Sequence, residues 1–179
     1  MEELTPGSLY TYKVKSTNRV GDGPWSAEYS FLIVNEPSQP LNPRVVEFSD
    51  NFVEISWEQP LLNGGQALSG FNIYRQDTTL GSGIYSLLVG LTAHDFYYTD
   101  SGVDGGHDYQ YYITSFNVLG GESVQSLTLY VTPSQAPSGM TAPIEVTHSK
   151  NSVTLSWNPP TSDGSSPVRR YIMYAKADF

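Results

Sequence analysis

Asn51-Phe52-Val53-Glu54-Ile55-Ser56-Trp57-Glu58-Gln59-Pro60 returns one hundred positions later as Asn151-Ser152-Val153-Thr154-Leu155-Ser156-Trp157-Asn158-Pro159-Pro160. In both copies a Val, a second aliphatic residue and a Trp alternate with polar residues, the period of two that a strand buried on one face requires. Phe71, Ile73 and Tyr74 return at the same offset as Tyr171, Met173 and Tyr174. A second register, ninety-nine positions long, carries Tyr10, Tyr12, Val14, Asn18 and Gly21 to Tyr109, Tyr111, Ile113, Asn117 and Gly120. Self-similarity at a fixed period means that each repeat is one structural unit of an array. The 179-residue chain is therefore expected to hold one complete unit at 35–132, with the C-terminal half of a unit at 1–34 and the N-terminal half of another at 133–179.

Alternation continues through Phe71-Asn72-Ile73 and the odd positions of Tyr109-Gln110-Tyr111-Tyr112-Ile113. No segment sustains a 3.6-residue period, and Gly or Pro punctuates the chain too often for long helices. Breaks at Pro60 to Gly65, Gly81-Ser82-Gly83, Ser101 to Gly106 and Gly120-Gly121 leave about seven strands between Arg44 and Thr132. The expected class is all-β, with each unit an immunoglobulin-like β-sandwich in tandem repeats. Glu36-Pro37-Ser38-Gln39-Pro40 and Pro133-Ser134-Gln135-Ala136-Pro137 precede the Trp-bearing strands at equivalent places. Closely spaced prolines favour an extended, semi-rigid backbone, so neighbouring units are expected end to end.

Composition narrows the chemistry. There is no Cys, which removes disulfides, a thiol nucleophile and Cys-ligated metal. No run approaches the roughly 18 apolar residues of a membrane span, and the start carries no signal-peptide pattern. The net charge of −9 is carried by the complete unit, where eleven acids face two bases. That balance argues against nucleic acid, whose binding needs Lys and Arg to neutralise phosphates.

These residues resemble the fibronectin type III family over nearly the whole chain. The resemblance rests on the Pro-rich lead-in, Trp57 and Trp157, and the Gly-bearing loops from Pro60 to Gly65 and from Pro159 to Gly164. It extends through Leu4-Thr5-Pro6-Gly7-Ser8-Leu9-Tyr10-Thr11-Tyr12-Lys13-Val14 with Asn18 and Gly21, which match the family's sixth strand and exit turn. The complete unit departs at one point, where Val103-Asp104-Gly105-Gly106 replaces Leu4-Thr5-Pro6-Gly7 and loses the proline. The resemblance implies a structural core of Trp57, Trp157, Tyr10, Tyr109, Tyr111 and Phe71. Tyr10 and Tyr109 stand at the family's tyrosine corner, where a ring hydroxyl bonds a backbone group upstream.

No catalytic, metal or cofactor constellation emerges. His94, His107 and His148 are scattered, and Asp100 to Asp108 resembles a calcium loop without the EF-hand register. Nucleophile elbows, phosphate-cradling Gly loops and zinc-binding His-Glu-x-x-His are absent, so the chain is expected to be no enzyme and to need no cofactor. Trp25-Ser26-Ala27-Glu28-Tyr29-Ser30 only partly matches the Trp-Ser box of cytokine receptors. With Tyr109, Tyr111 and Ile113 facing the core, Tyr112 and Phe116 face outward, and so does Tyr74 on the adjoining strand. These three form the candidate protein interface; the first part unit has Lys13 and Thr17 at the sites of Tyr112 and Phe116.

The leading functional expectation is a non-catalytic structural or adhesive module of a larger multi-repeat protein or filament, spacing other parts and contacting other protein chains or neighbouring repeats. Alternatives are an accessory spacer in a secreted carbohydrate-active enzyme and a cytoskeletal or ciliary scaffold. Placement is expected outside the cell or at its surface, or with the cytoskeleton under the last alternative. Each part unit carries core residues with half a core to hold them. Either the chain is a window on a longer array, or successive chains complete one another head to tail.

Overall fold

The structure is a computed structural model that describes residues 3–81 and 83–176. Twelve strands and no helix occur among the described residues. The first pair is β1 (Leu9–Tyr12) with β2 (Tyr29–Leu32), antiparallel, Tyr10 opposite Phe31. The middle of the chain supplies β3 (Leu41–Phe48), β4 (Val53–Glu58), β5 (Gly70–Asp77), β6 (Ser86–Thr92) and β7 (Tyr97–Asp100). It continues with β8 (Tyr109–Asn117), β9 (Gly121–Glu122) and β10 (Leu129–Val131). The last pair is β11 (Ile144–His148) with β12 (Val153–Ser156).

The middle strands make two antiparallel sheets, β3-β4-β7 and β10-β8-β5-β6, with β9 also on the β8 edge. Alternation decides what lies between them. Val53, Ile55 and Trp57 of β4 face Phe71 and Ile73 of β5 and Tyr111 and Ile113 of β8, all at most 2% exposed. Trp57 meets Phe71 edge-on at 5.6 Å, and Phe71 meets Phe96 at 5.7 Å, the tilted geometry that ring quadrupoles favour. The expected last strand of the unit is split into β9 and β10. Between them Ser126 donates its N–H to Ile113 O (2.9 Å), and its Oγ accepts from Ile113 N (3.0 Å). Ser123 treats Ser115 in the same way. The serine hydroxyls thus satisfy ladder donors that an irregular strand would leave bare. Ser26 does the same for Val14 in the first unit.

A buried charge joins the two sheets. Asp100, 2% exposed at the end of β7, accepts from Arg75 Nη1 of β5 at 2.8 Å and from the Tyr111 hydroxyl of β8 at 2.8 Å. Gly102 N donates to its other oxygen at 2.9 Å, and Arg75 Nη1 also donates to Gly102 O at 2.7 Å. Burial pulls the Arg75 guanidinium down, but the bond to Asp100 and its charge outweigh that and leave Arg75 above its ordinary value. Burial first, then the neighbouring Asp100 charge, pushes the Tyr111 hydroxyl far up, so it stays a donor.

The two tyrosine corners have matching geometry. Tyr109 Oη accepts from Asp104 N at 2.9 Å, and Tyr10 Oη accepts from Thr5 N at 2.9 Å, each five residues upstream. Tyr109 is buried, whereas Tyr10 is half-buried. Trp157, expected in a core, is 39% exposed and leans on Tyr171 at 5.8 Å. The strands just before it, β11 and β12, pair alone, with no facing sheet among the described residues, and residues 171–176 carry no strand.

Truncating Trp57 to Ala removes the ring between the sheets, with a loss of about 3–5 kcal/mol expected from core aromatic truncations. Urea denaturation followed by circular dichroism checks it, and a loss below about 1 kcal/mol would place Trp57 outside a packed core.

Candidate protein-contact face

The outer face of the larger sheet is set by register. Tyr74 of β5 lies directly opposite Tyr112 of β8, Asn72 opposite Thr114, and Gly70 opposite Phe116. The Tyr74 and Tyr112 rings stack at 4.7 Å, 19° from parallel. Tyr85, just before β6, tilts onto Tyr112 at 4.7 Å and donates its hydroxyl to Gln110 Oε1 at 2.7 Å. Phe116 lies four residues beyond Tyr112 along β8, over Gly70, where an added Cβ would stand 3.1 Å from the ring and 2.0 Å from Leu91 O. All four aromatic residues are half-buried. The stacked cluster therefore consists of Tyr74, Tyr112 and Tyr85, with Phe116 set apart beyond the Asn72–Thr114 pair.

Glu122 of β9 organises the polar rim. Its Oε1 accepts from Tyr74 Oη at 2.9 Å, from Asn72 Nδ2 at 3.0 Å and from Thr114 Oγ1. Burial would raise the carboxyl, but the bonds from Thr114, Asn72 and Tyr74 prevail and hold it below its ordinary value. Its contribution to the face is complete above the ordinary carboxyl range and is lost as pH falls through the depressed value. An ionised carboxylate with three donors has no proton to give at neutral pH, so the rim holds the rings in place and offers no general acid. Ring edges and a fixed negative rim suit a protein surface that supplies apolar area and donors.

Neither Tyr85 nor Glu122 stood out in the sequence. Tyr85 follows the Gly81–Gly83 break, where period-two reading has no register, and Glu122 sits on a two-residue strand. The first unit carries a different outer cluster. There the Trp25 ring receives Lys13 Nζ at 5.4 Å and Lys15 Nζ at 5.3 Å from its centroid, with Lys13 also paired to Glu28 at 3.5 Å and Lys15 to Asp22. A cation over the indole face explains Trp25 without any receptor box.

Two of the histidines have carboxylate partners. His107 pairs with Asp77 at 2.8 Å and His148 with Glu145 at 2.5 Å. Asp100, first residue of the loop that resembles a calcium site, is taken by Arg75, Tyr111 and Gly102. Among the described residues no cluster of three His, Asp or Glu could hold a metal ion, and no helix is long and apolar enough to cross a membrane.

The Tyr74 hydroxyl should report on the face directly. Burial, then the Glu122 hydrogen bond and charge, pushes it from 10.0 up to about 12. A raised folded value means stability that is whole below pH 10.0 and lost as pH rises toward about 12. In an ultraviolet titration the Tyr74→Phe variant should lack a phenolate transition centred near 12; a missing transition centred near 10 would contradict the contact.

No family model matches the chain. It is 28% identical over 190 aligned residues to exoglucanase B of Cellulomonas fimi, covering 97% of this chain and 16% of that protein. It is 27% identical over 178 residues to fibronectin type-III domain-containing protein 3A of Mus musculus, covering 90% of this chain and 14% of that protein. The chain thus spans less than a fifth of the length of these relatives. The crystal structure of domains A168–A170 from titin superposes with a TM-score of 0.55 at 19% identity, covering 72% of this chain and 42% of that one. Structural neighbours are fibronectin type III and immunoglobulin-like domains, and the fold is all-β. The homologues are fibronectin type III-containing proteins, and they support assigning this tandem-repeat chain to the fibronectin type III family.

Proposed function

We propose that the chain is a non-catalytic structural segment of a longer multi-repeat protein, with 35–132 as a complete module, 1–34 and 133–179 as half modules, and the Tyr74–Tyr112–Tyr85 face as a contact for another protein chain. One observation carries the partner role: three tyrosines share one outer face of the middle unit around an anchored carboxylate. Rings already stacked and bonded lose little freedom on binding, which favours their use as anchors. The kinship to fibronectin type III modules supports a structural or protein-binding role. The acidic surface favours protein partners over nucleic acid. We place the segment outside the cell or at its surface, with a cytoskeletal scaffold as the alternative that the titin likeness favours. The likeness to exoglucanase B over 97% of the chain favours a second reading, an accessory spacer beside a carbohydrate-active catalytic domain.

A photoreactive phenylalanine at Tyr112 tests the contact in the source cell, with the same residue at Ser30 of the first unit as the control. A discrete protein adduct from position 112 and none from position 30 is the expected outcome. Absence of a protein adduct at 112 overturns the partner role, and equal labelling at both positions does so as well.

A further inference from the structure

Two junctions between neighbouring units lie within the chain, and they are built alike. At the first, Gly7 N donates to Ile33 O at 2.8 Å, tying the linker to the unit behind it. Two residues on, Asn35 N donates to Gly64 O at 2.8 Å, tying the linker to the unit ahead. At the second junction Gly106 N donates to Pro133 O at 2.8 Å and Gln135 N to Gly164 O at 2.9 Å. The match continues with Ser38 N to Leu62 O at 2.9 Å and Ser138 N to Ser162 O at 3.0 Å. Each donor and acceptor is displaced by ninety-nine or one hundred positions, the repeat offsets themselves. Only Val34 in one linker and Ser134 in the other stand between the two clamps.

The units also touch directly, backbone to backbone. A Cβ on Gly65, in the β4–β5 loop, would stand 2.1 Å from Gly7 N of the turn before β1. At the second junction a Cβ on Gly106 would lie 3.2 Å from Ser165 O, and one on Gly105 would lie 2.3 Å from Ser165 Oγ. Gly65 has φ +88, and Ser165, its equivalent, holds φ 63 although it is not glycine. Keeping a left-handed backbone at a serine costs energy that surrounding contacts must offset. Gln135 adds a side-chain bond from Nε2 to Asp50 Oδ2 at 2.7 Å.

We infer that the turn before the tyrosine-corner strand is a docking surface for the β4–β5-type loop of the next module, holding successive modules in one fixed orientation. Adjacent domains ordinarily move relative to each other unless a large apolar interface holds them. Here the restraint is of another kind: a linker clamped on both sides of a single residue, with close contacts at Gly65 and Gly105 that leave no room for an added Cβ. A flexible linker would not reproduce three hydrogen bonds and a backbone contact at two junctions whose side chains differ. The fixed step makes the array a stiff strut and sets the direction in which each outer sheet face points. This holds whether or not the tyrosine face has a partner, and it is tested without one.

The full chain, which has no native Cys, takes spin labels at Thr99→Cys on β7 and Thr154→Cys on β12, and pulsed dipolar spectroscopy reads the distance between them. A single narrow distribution is expected. Gly105→Val, at a residue with ordinary backbone and no room for a Cβ, should at least double its width. Gly81→Ala, with φ +70 but nothing within 4 Å, should leave it narrow. Should Gly105→Val unfold the middle unit, Gln135→Pro, which removes the donor to Gly164 without touching the core, decides in its place and should broaden the distribution equally. A broad distribution in the unaltered chain, or a narrow one retained in the folded variants, overturns the inference.

Discussion

The Asp100 carboxylate, buried between two sheets and answered by Arg75, is the interaction on which most of the structure turns. An isolated charge in such a place would be expelled or neutralised. It stays because a guanidinium, a phenol and a backbone N–H converge on it from three segments. Those partners come from β5, β8 and the loop after β7, so one charge fixes the relative placement of both sheets at that end of the sandwich. Apolar packing of Trp57, Phe71 and Phe96 supplies the area term; it is non-directional and would tolerate sliding. The ion pair supplies the direction.

Its influence passes outward along the chain. Asp100 holds Gly102, and two residues later Asp104 donates to the Tyr109 hydroxyl, whose ring lies under the Arg75 guanidinium at 5.4 Å. The next two residues, Gly105 and Gly106, are those that meet Ser165 and Pro133 of the following segment. Core, corner and junction are thus one continuous set of bonds. A tyrosine corner is commonly read as an intra-sandwich staple. In this chain it also positions the turn on which the neighbouring unit sits.

How far the sequence revealed this depends on the kind of signal. Trp57, Phe71, Tyr111 and Ile113 were legible because a period of two acts on every residue of a half-buried strand and the repeat shows it twice. The outward placement of Tyr74, Tyr112 and Phe116 follows from the same alternation. Tyr85 and Glu122 were not legible, since one precedes a strand after a glycine break and the other joins its neighbours only through the pairing of β8 with β9. Arg75 carries no signal in the sequence; its partner stands twenty-five positions away, and no local pattern links them. Trp157 stands in the same alternating Val-x-aliphatic-Ser-Trp motif as Trp57 yet lies half open, because burial needs a facing sheet and not merely a motif. The junctions were anticipated as proline-stiffened spacers. What holds them is backbone hydrogen bonding at glycines, which a sequence displays only as loop composition.

The most direct test of the central role of Asp100 is a double-mutant cycle on Arg75→Met and Asp100→Asn, measured by urea denaturation of the full chain. Removing one member of a buried pair strands the other, so each single variant should lose about 3 kcal/mol or more, while the double variant should lose clearly less than the two combined. Additivity within about 0.5 kcal/mol would mean that the two groups act independently, and the charge would then not be what holds the sheets together.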